Sequence, residues 1–348
     1  MSQFEPPREV RELCLAPEKT AEAVTCARRV KKLSNIICFS LLTQVPVAAI
    51  TEFTVVGLYY LINVFVLHHG SVNLSTFSDS SSVQGELLAC LDYFSYMFIP
   101  FMMMVLILKQ NPFRIVPVKR VKDKSLFLPG IAVALAFSFV AGLLTNYIQF
   151  ILGFLHLQDT SPDFTAPKSI PAFALYFFQI CILAPLCEEF IFRGVILHNL
   201  KQFGNAFAVV ISAILFSMVH GDLLQMPLAL LVGLVFGVMI IKSGSIWLTV
   251  VMHATVNTVS VAVDMLDTRF GDEIANYLYL GISIIAILVS IAFFLRLREK
   301  QGFKSRLTDF KKSVLPNQFL IKKFALTPGF LIFSGVTVIL FAIYMKVV

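Results

Sequence analysis

Glu188 and Glu189 stand side by side in Pro185-Leu186-Cys187-Glu188-Glu189-Phe190-Ile191-Phe192-Arg193, a charged interruption in a strongly apolar stretch. A carboxylate at membrane depth costs about 2.5–3.5 kcal/mol on insertion scales, so such a pair calls for a function or a partner. On a helix Glu189 and Arg193 lie at i,i+4 with the acid N-terminal, the favoured order for an ion pair. Glu188 sits about 100° round the helix and lacks that partner. The spacing therefore predicts one acid held structurally beside one acid free for chemistry.

Two further apolar stretches carry polar side chains, Phe216-Ser217-Met218-Val219-His220 and His253-Ala254-Thr255-Val256-Asn257. His253 and Asn257, four apart, point the same way from one helix. Counted from the expected cytoplasmic ends at 1.5 Å per residue, Glu188, His220, His253 and Asn257 lie about 15–22 Å deep. Convergence of these helices predicts a buried polar cavity opening toward the cytoplasm. A carboxylate and a histidine sharing a water can remove its proton as it attacks a carbonyl. A second histidine and an amide are donors for the resulting oxyanion. The same residue types allow a zinc site made of Glu188, His220 and His253 with one open position. The polar groups also suit plain interhelical hydrogen bonding. Pro185 removes a helical donor and is expected to free the Cys181 carbonyl beside the acids.

The elements that must position these residues follow from composition. Of the 348 residues 57% are hydrophobic and 14% charged, with a mean hydropathy of +0.82. That excludes a soluble domain and predicts an all-α polytopic membrane helix bundle of eight or nine spans. The apolar runs fall at about 34–67, 85–108, 127–156, 171–200, 205–221, 224–241, 245–264, 276–296 and 328–346. The formal charge of +7 points to cytoplasmic loops rather than to nucleic acid. Arg28-Arg29-Val30-Lys31-Lys32, loop 109–124 and stretch 296–323 are basic, whereas loop 68–84 has no Lys or Arg and loops 157–168 and 264–275 are rich in Asp. The bias places the N-terminus in the cytoplasm, and the membrane expected is a bacterial plasma membrane. Glu52 and Asp92 are expected near an interface or paired within the bundle. Asn73-Leu74-Ser75 fits a glycosylation acceptor but is common by chance. The six cysteines have no metal-ligand spacing, and Cys187, though beside Glu188, is expected to be inert packing.

Glu188-Glu189 through Arg193, Phe216 through His220 and His253 through Asn257 form, in order, E-E-x-x-x-R, F-x-x-x-H and H-x-x-x-N. In this the chain resembles the CPBP family of intramembrane endopeptidases, the CAAX proteases and bacteriocin-processing or abortive-infection enzymes. The resemblance implies that Glu188 is the general base acting with His220, that His253 and Asn257 stabilise the oxyanion, and that Glu189, Arg193 and Phe216 support them. It favours a metal-free glutamic peptidase over a zinc enzyme. The organisation it implies is a tail at 1–33, N-terminal spans and a basic loop at 34–124, the catalytic core at 125–265 and C-terminal spans at 266–348. The substrate expected is a peptide or protein, whether a CAAX-like tail, a bacteriocin, pheromone or leader peptide, or a membrane protein, with the lipid bilayer as surroundings. The competing classes are a non-catalytic membrane scaffold or immunity protein, in which Glu188 serves folding only, and a transporter, which the lack of an internal repeat disfavours.

Overall fold

The computed structural model describes residues 17–66, 74–75, 82–161, 166–299, 312–313 and 315–347. Cys14, Asn73, Asp163 and the basic segment 300–311 lie outside the described residues. The protein is an integral multi-pass bundle of α-helices. In chain order these are α1 (Pro17–Leu42), α2 (Gln44–Leu61), α3 (Val83–Ile107), α4 (Phe127–Phe154), α5 (Ile170–Phe203), α6 (Asn205–Met218), α7 (Met226–Ser243), α8 (Ile246–Phe270), α9 (Asp272–Glu299), α10 (Asn317–Ala325) and α11 (Pro328–Tyr344).

Seven helical segments are long and apolar enough to cross a membrane, or eight if α10 and α11, bent by 71° to one another, make one broken span. The remaining expected run is α6, whose 14 residues extend only about 21 Å against a hydrocarbon core of about 30 Å. Its end is set by Gly221, whose φ of +64° turns the chain out of the helix without a Cβ clash. His220 therefore lies in a turn just beyond a short helix, not inside a span.

α6 and α7 pack closely because α7 presents Ala229, Gly233 and Gly237 at four-residue spacing. A Cβ on Gly233 would lie 3.2 Å from Phe216 and 3.3 Å from Ala213, and one on Gly237 would lie 3.0 Å from Val209. Small residues let two backbones approach where lipid supplies no hydrophobic drive between helices. Gly233→Leu is accordingly expected to lower stability by about 1–3 kcal/mol through overpacking. A thermal unfolding midpoint in detergent equal to wild type would refute this tight seam.

Contacts across the bundle tie the helix ends together. At one end Ile246 N–H donates to the Pro117 carbonyl (2.9 Å), Trp247 Nε1 donates to the Val118 carbonyl (3.1 Å), and Gln110 and Asn199 exchange amide hydrogen bonds of 2.7 and 2.9 Å. At the other end β1 (Leu157–Asp159) pairs antiparallel with β2 (Met345–Val347), joining the exits of α4 and α11. The core between them is built largely from α5, α6, α7 and α8, with Phe192, Phe207, Phe216 and Phe236 almost fully buried.

Candidate active site

α5 carries the acidic pair, and it is not a regular α-helix. Gln179–Leu183 and Phe190–Ile196 are π-helical and flank the α-helical turn Ala184–Glu189. Such wide turns often mark functional positions. In the i→i−5 register the missing N–H of Pro185 deprives Ile180 of its partner, one residue before the carbonyl expected from an α-helical count. Asn257 Nδ2 donates to that Ile180 carbonyl at 2.8 Å. Ser212 Oγ donates to the Phe192 carbonyl at 3.0 Å in the second wide turn. Side chains of α8 and α6 thus satisfy backbone groups that membrane burial leaves costly.

Glu189 and Arg193 form a fully buried ion pair, Nη1 to Oε1 at 2.9 Å. The guanidinium also donates to the Gly233 carbonyl at 3.2 Å. Its carbon lies 4.5 Å from the Phe216 ring centre and 5.2 Å from that of Phe236. Phe216 in turn meets His220 and His253 edge to face, with ring centres 5.0 and 5.8 Å apart. It is the spacer that sets the two imidazoles around the acidic pair.

His253 bridges the two acids. Its Nδ1 lies 3.1 Å from Glu189 Oε1, and its Nε2 lies 3.6 Å from Glu188 Oε2. A carboxylate engaged by Arg193 only accepts, so the Nδ1–Glu189 contact requires a proton on Nδ1. That turns Nε2 toward Glu188. His220 Nδ1 lies 2.8 Å from the Phe216 carbonyl, another pure acceptor, so its Nε2 is the free nitrogen. Glu188 is 7% exposed. Its Oε1 accepts a hydrogen bond from Tyr93 on α3, while its Oε2 has no hydrogen-bond partner.

These groups line one cavity of about 670 Å³, shared by Tyr93, Glu188, His220, His253 and Asn257. The imidazole in contact with Glu188 is that of His253, while His220, which the family resemblance sets to work with Glu188, lines the same cavity. The sequence expects an opening toward the cytoplasm, the side assigned to the basic loops, but the lining runs away from those loops. Beyond the Glu188 level the lining continues through Tyr176, Ser161, Asp222, Asp264 and Tyr344, all toward the β1–β2 end. A side chain near mid-membrane is about equally far from both faces, so depth alone could not choose the mouth. Among the described residues no group of three or more His, Cys, Asp or Glu is placed to hold a metal ion. The Glu188, His220 and His253 set thus forms no ready ligand cluster.

Residues 170–259, which contain all three motifs, match the sequence model of the family described as type II CAAX prenyl endopeptidase Rce1-like. Over this segment the chain is similar to the Rce1-like family. Among similar proteins, "Putative membrane peptidase YdiL" of Bacillus subtilis (strain 168) is 28% identical over 152 residues, which are 43% of this chain and 58% of that protein. An "Uncharacterized 24.3 kDa protein" of Escherichia coli is 34% identical over 121 residues, 32% of this chain and 56% of that protein. The chain thus spans under two thirds of either relative's length. No solved structure matches. Outside the Rce1-like segment, α3 supplies Tyr93 and the cavity-lining Asp92, one of whose oxygens is buried without a hydrogen-bond partner. Glu52, by contrast, is exposed on α2, and Cys187 is a free, half-buried thiol.

Tyr93 was not singled out by the sequence, because a tyrosine in an apolar helix is ordinary; only its spacing from Tyr96, with rings 4.9 Å apart, hints at a polar wall. Its phenol holds one Glu188 oxygen and so aims the other at His253. Tyr93→Phe is expected to lower kcat by about 10- to 150-fold, the value of about 1.5–3 kcal/mol for one hydrogen bond to a charged group, with KM little changed. An equal effect on KM alone would assign Tyr93 to substrate binding instead.

Proposed function

We propose that the protein is a membrane-embedded endopeptidase of the glutamic type, in which Glu188 is the general base. The reading is carried by one observation: a buried carboxylate at the inner end of a cavity, one oxygen restrained by Tyr93 and the other unpartnered beside His253. A water in that space gives one proton to Glu188 as its oxygen bonds to the peptide carbonyl carbon. The free Nε2 of His220 faces the same space and shares that proton. The carbonyl π electrons move to oxygen, and the oxyanion is met by the second Asn257 N–H, the first being held by Ile180, and by His253 when it carries a proton on Nε2. Collapse restores the carbonyl and breaks the C–N bond, and the departing nitrogen takes the proton held by Glu188 and His220. Glu189 and Arg193 orient His253, and Phe216 spaces the rings.

The Rce1-like segment and the peptidase description of one relative support a membrane protease. The candidate substrates are a CAAX-like tail or a bacteriocin, pheromone or leader peptide. The test is cleavage of a peptide library by the purified protein, with Glu188→Gln and His220→Ala compared with wild type, each with and without chelator. Loss in both variants and indifference to chelator supports the reading. Loss on chelation restored by zinc transfers the same residues to a metallopeptidase.

A further inference from the structure

The contacts that tie the helix ends fix which loops share a face, and charge then decides which face that is. The end bearing the Ile246–Pro117 and Trp247–Val118 bonds also holds Ser245 Oγ donating to the Lys119 carbonyl, and Gly204 packed against Ser313. Loop 109–124, Lys201, Lys242 and the approach to α10 therefore lie together. The opposite end is joined by β1–β2, by Thr160 Oγ1 donating to the Tyr344 carbonyl (2.8 Å), and by Ser161 Oγ to Asp222 Oδ2 (3.4 Å). Among the described residues, the Lys and Arg at this second end are only Lys168, Arg269 and Lys346. The cavity runs to this end, and its lining includes Asp92, Asp222 and Asp264 but no Lys or Arg. Lys and Arg are retained on the cytoplasmic side of multi-pass proteins.

We infer that the cavity opens on the extracytoplasmic face, so that the substrate is an extracytoplasmic peptide or the outer juxtamembrane segment of a membrane protein, not a lipidated tail displayed in the cytoplasm. The word substrate rests on the peptidase reading; the orientation does not.

The test uses the full chain with its six cysteines replaced, carrying Ser161→Cys, Thr268→Cys or Lys122→Cys, in intact bacterial cells treated with a membrane-impermeant maleimide polymer. Positions 161 and 268 are expected to shift in gel mobility in intact cells, and position 122 only after permeabilisation. The reverse pattern, or labelling at both ends, overturns the inference. An epitope added after Val348 to the chain with native cysteines reads the same orientation through β2, and antibody access only after permeabilisation overturns it too. A protein oriented as inferred that cleaves no peptide in detergent sinks the peptidase reading alone. One that is active but labelled outside at position 122 sinks the orientation alone.

Discussion

Glu188→Gln is expected to lower peptide cleavage by about 10²–10⁴-fold, the usual share of a general base, with the loss in kcat and KM almost unchanged. The amide keeps the carboxylate's shape, and its oxygen still accepts from Tyr93, which donates to Glu188 Oε1. What it lacks is a basic oxygen at the Oε2 position, the atom left without a hydrogen bond 3.6 Å from His253 Nε2. Folding should survive, because that oxygen makes no structural bond to lose. Glu189→Gln is the instructive contrast. Its carboxylate is engaged by both Arg193 and His253, so stability and rate should fall together. Initial rates and thermal unfolding of purified wild type and both variants separate the two roles. A Glu188→Gln protein cleaving at the wild-type rate would falsify base catalysis by this residue.

The spans were legible because a run of about 20 consecutive apolar residues matches the thickness of a bilayer and suits little else, and α3, α4, α5 and α7 stand within about three residues of their expected limits. The Glu189–Arg193 pair was legible for a similar reason, since i,i+4 spacing is a local property of a helix. Convergence of His253 on both acids was not local, and it depends on how α8 crosses α5. The wide turns of α5 were hidden because an i→i−5 register carries no residue signature beyond Pro185. That shift moved the carbonyl that Asn257 satisfies from Cys181 to Ile180. The small residues Ala229, Gly233 and Gly237 did carry a packing signal, but one fainter than a charge set in an apolar run. The mouth of the cavity needed the loops in space, because residue counts from the helix ends put Glu188, His220, His253 and Asn257 all at about 15–22 Å.

Arg193→Met should be the most damaging change to the fold, costing about 3–5 kcal/mol by leaving Glu189 charged and unpaired in the core. The guanidinium is 1% exposed and does three things there. It neutralises Glu189 at 2.9 Å, it donates to the Gly233 carbonyl at 3.2 Å, and it lies over the Phe216 and Phe236 rings. Methionine replaces the packing but none of the charge. Replacing both partners, as in Glu189→Leu with Arg193→Met, removes the buried charges together and should recover most of the loss, because an ion pair this deep is costly to break yet adds little over apolar packing. Activity should not return with it, since His253 loses the acceptor that fixes its Nδ1 proton and so the aim of its Nε2 at Glu188. Unfolding midpoints and cleavage rates of the wild type, both single variants and the double variant form one cycle. Recovery of stability without recovery of rate assigns the pair to positioning His253. A single Arg193→Met protein as stable as wild type would mean that Glu189 is not held as an anion by this guanidinium.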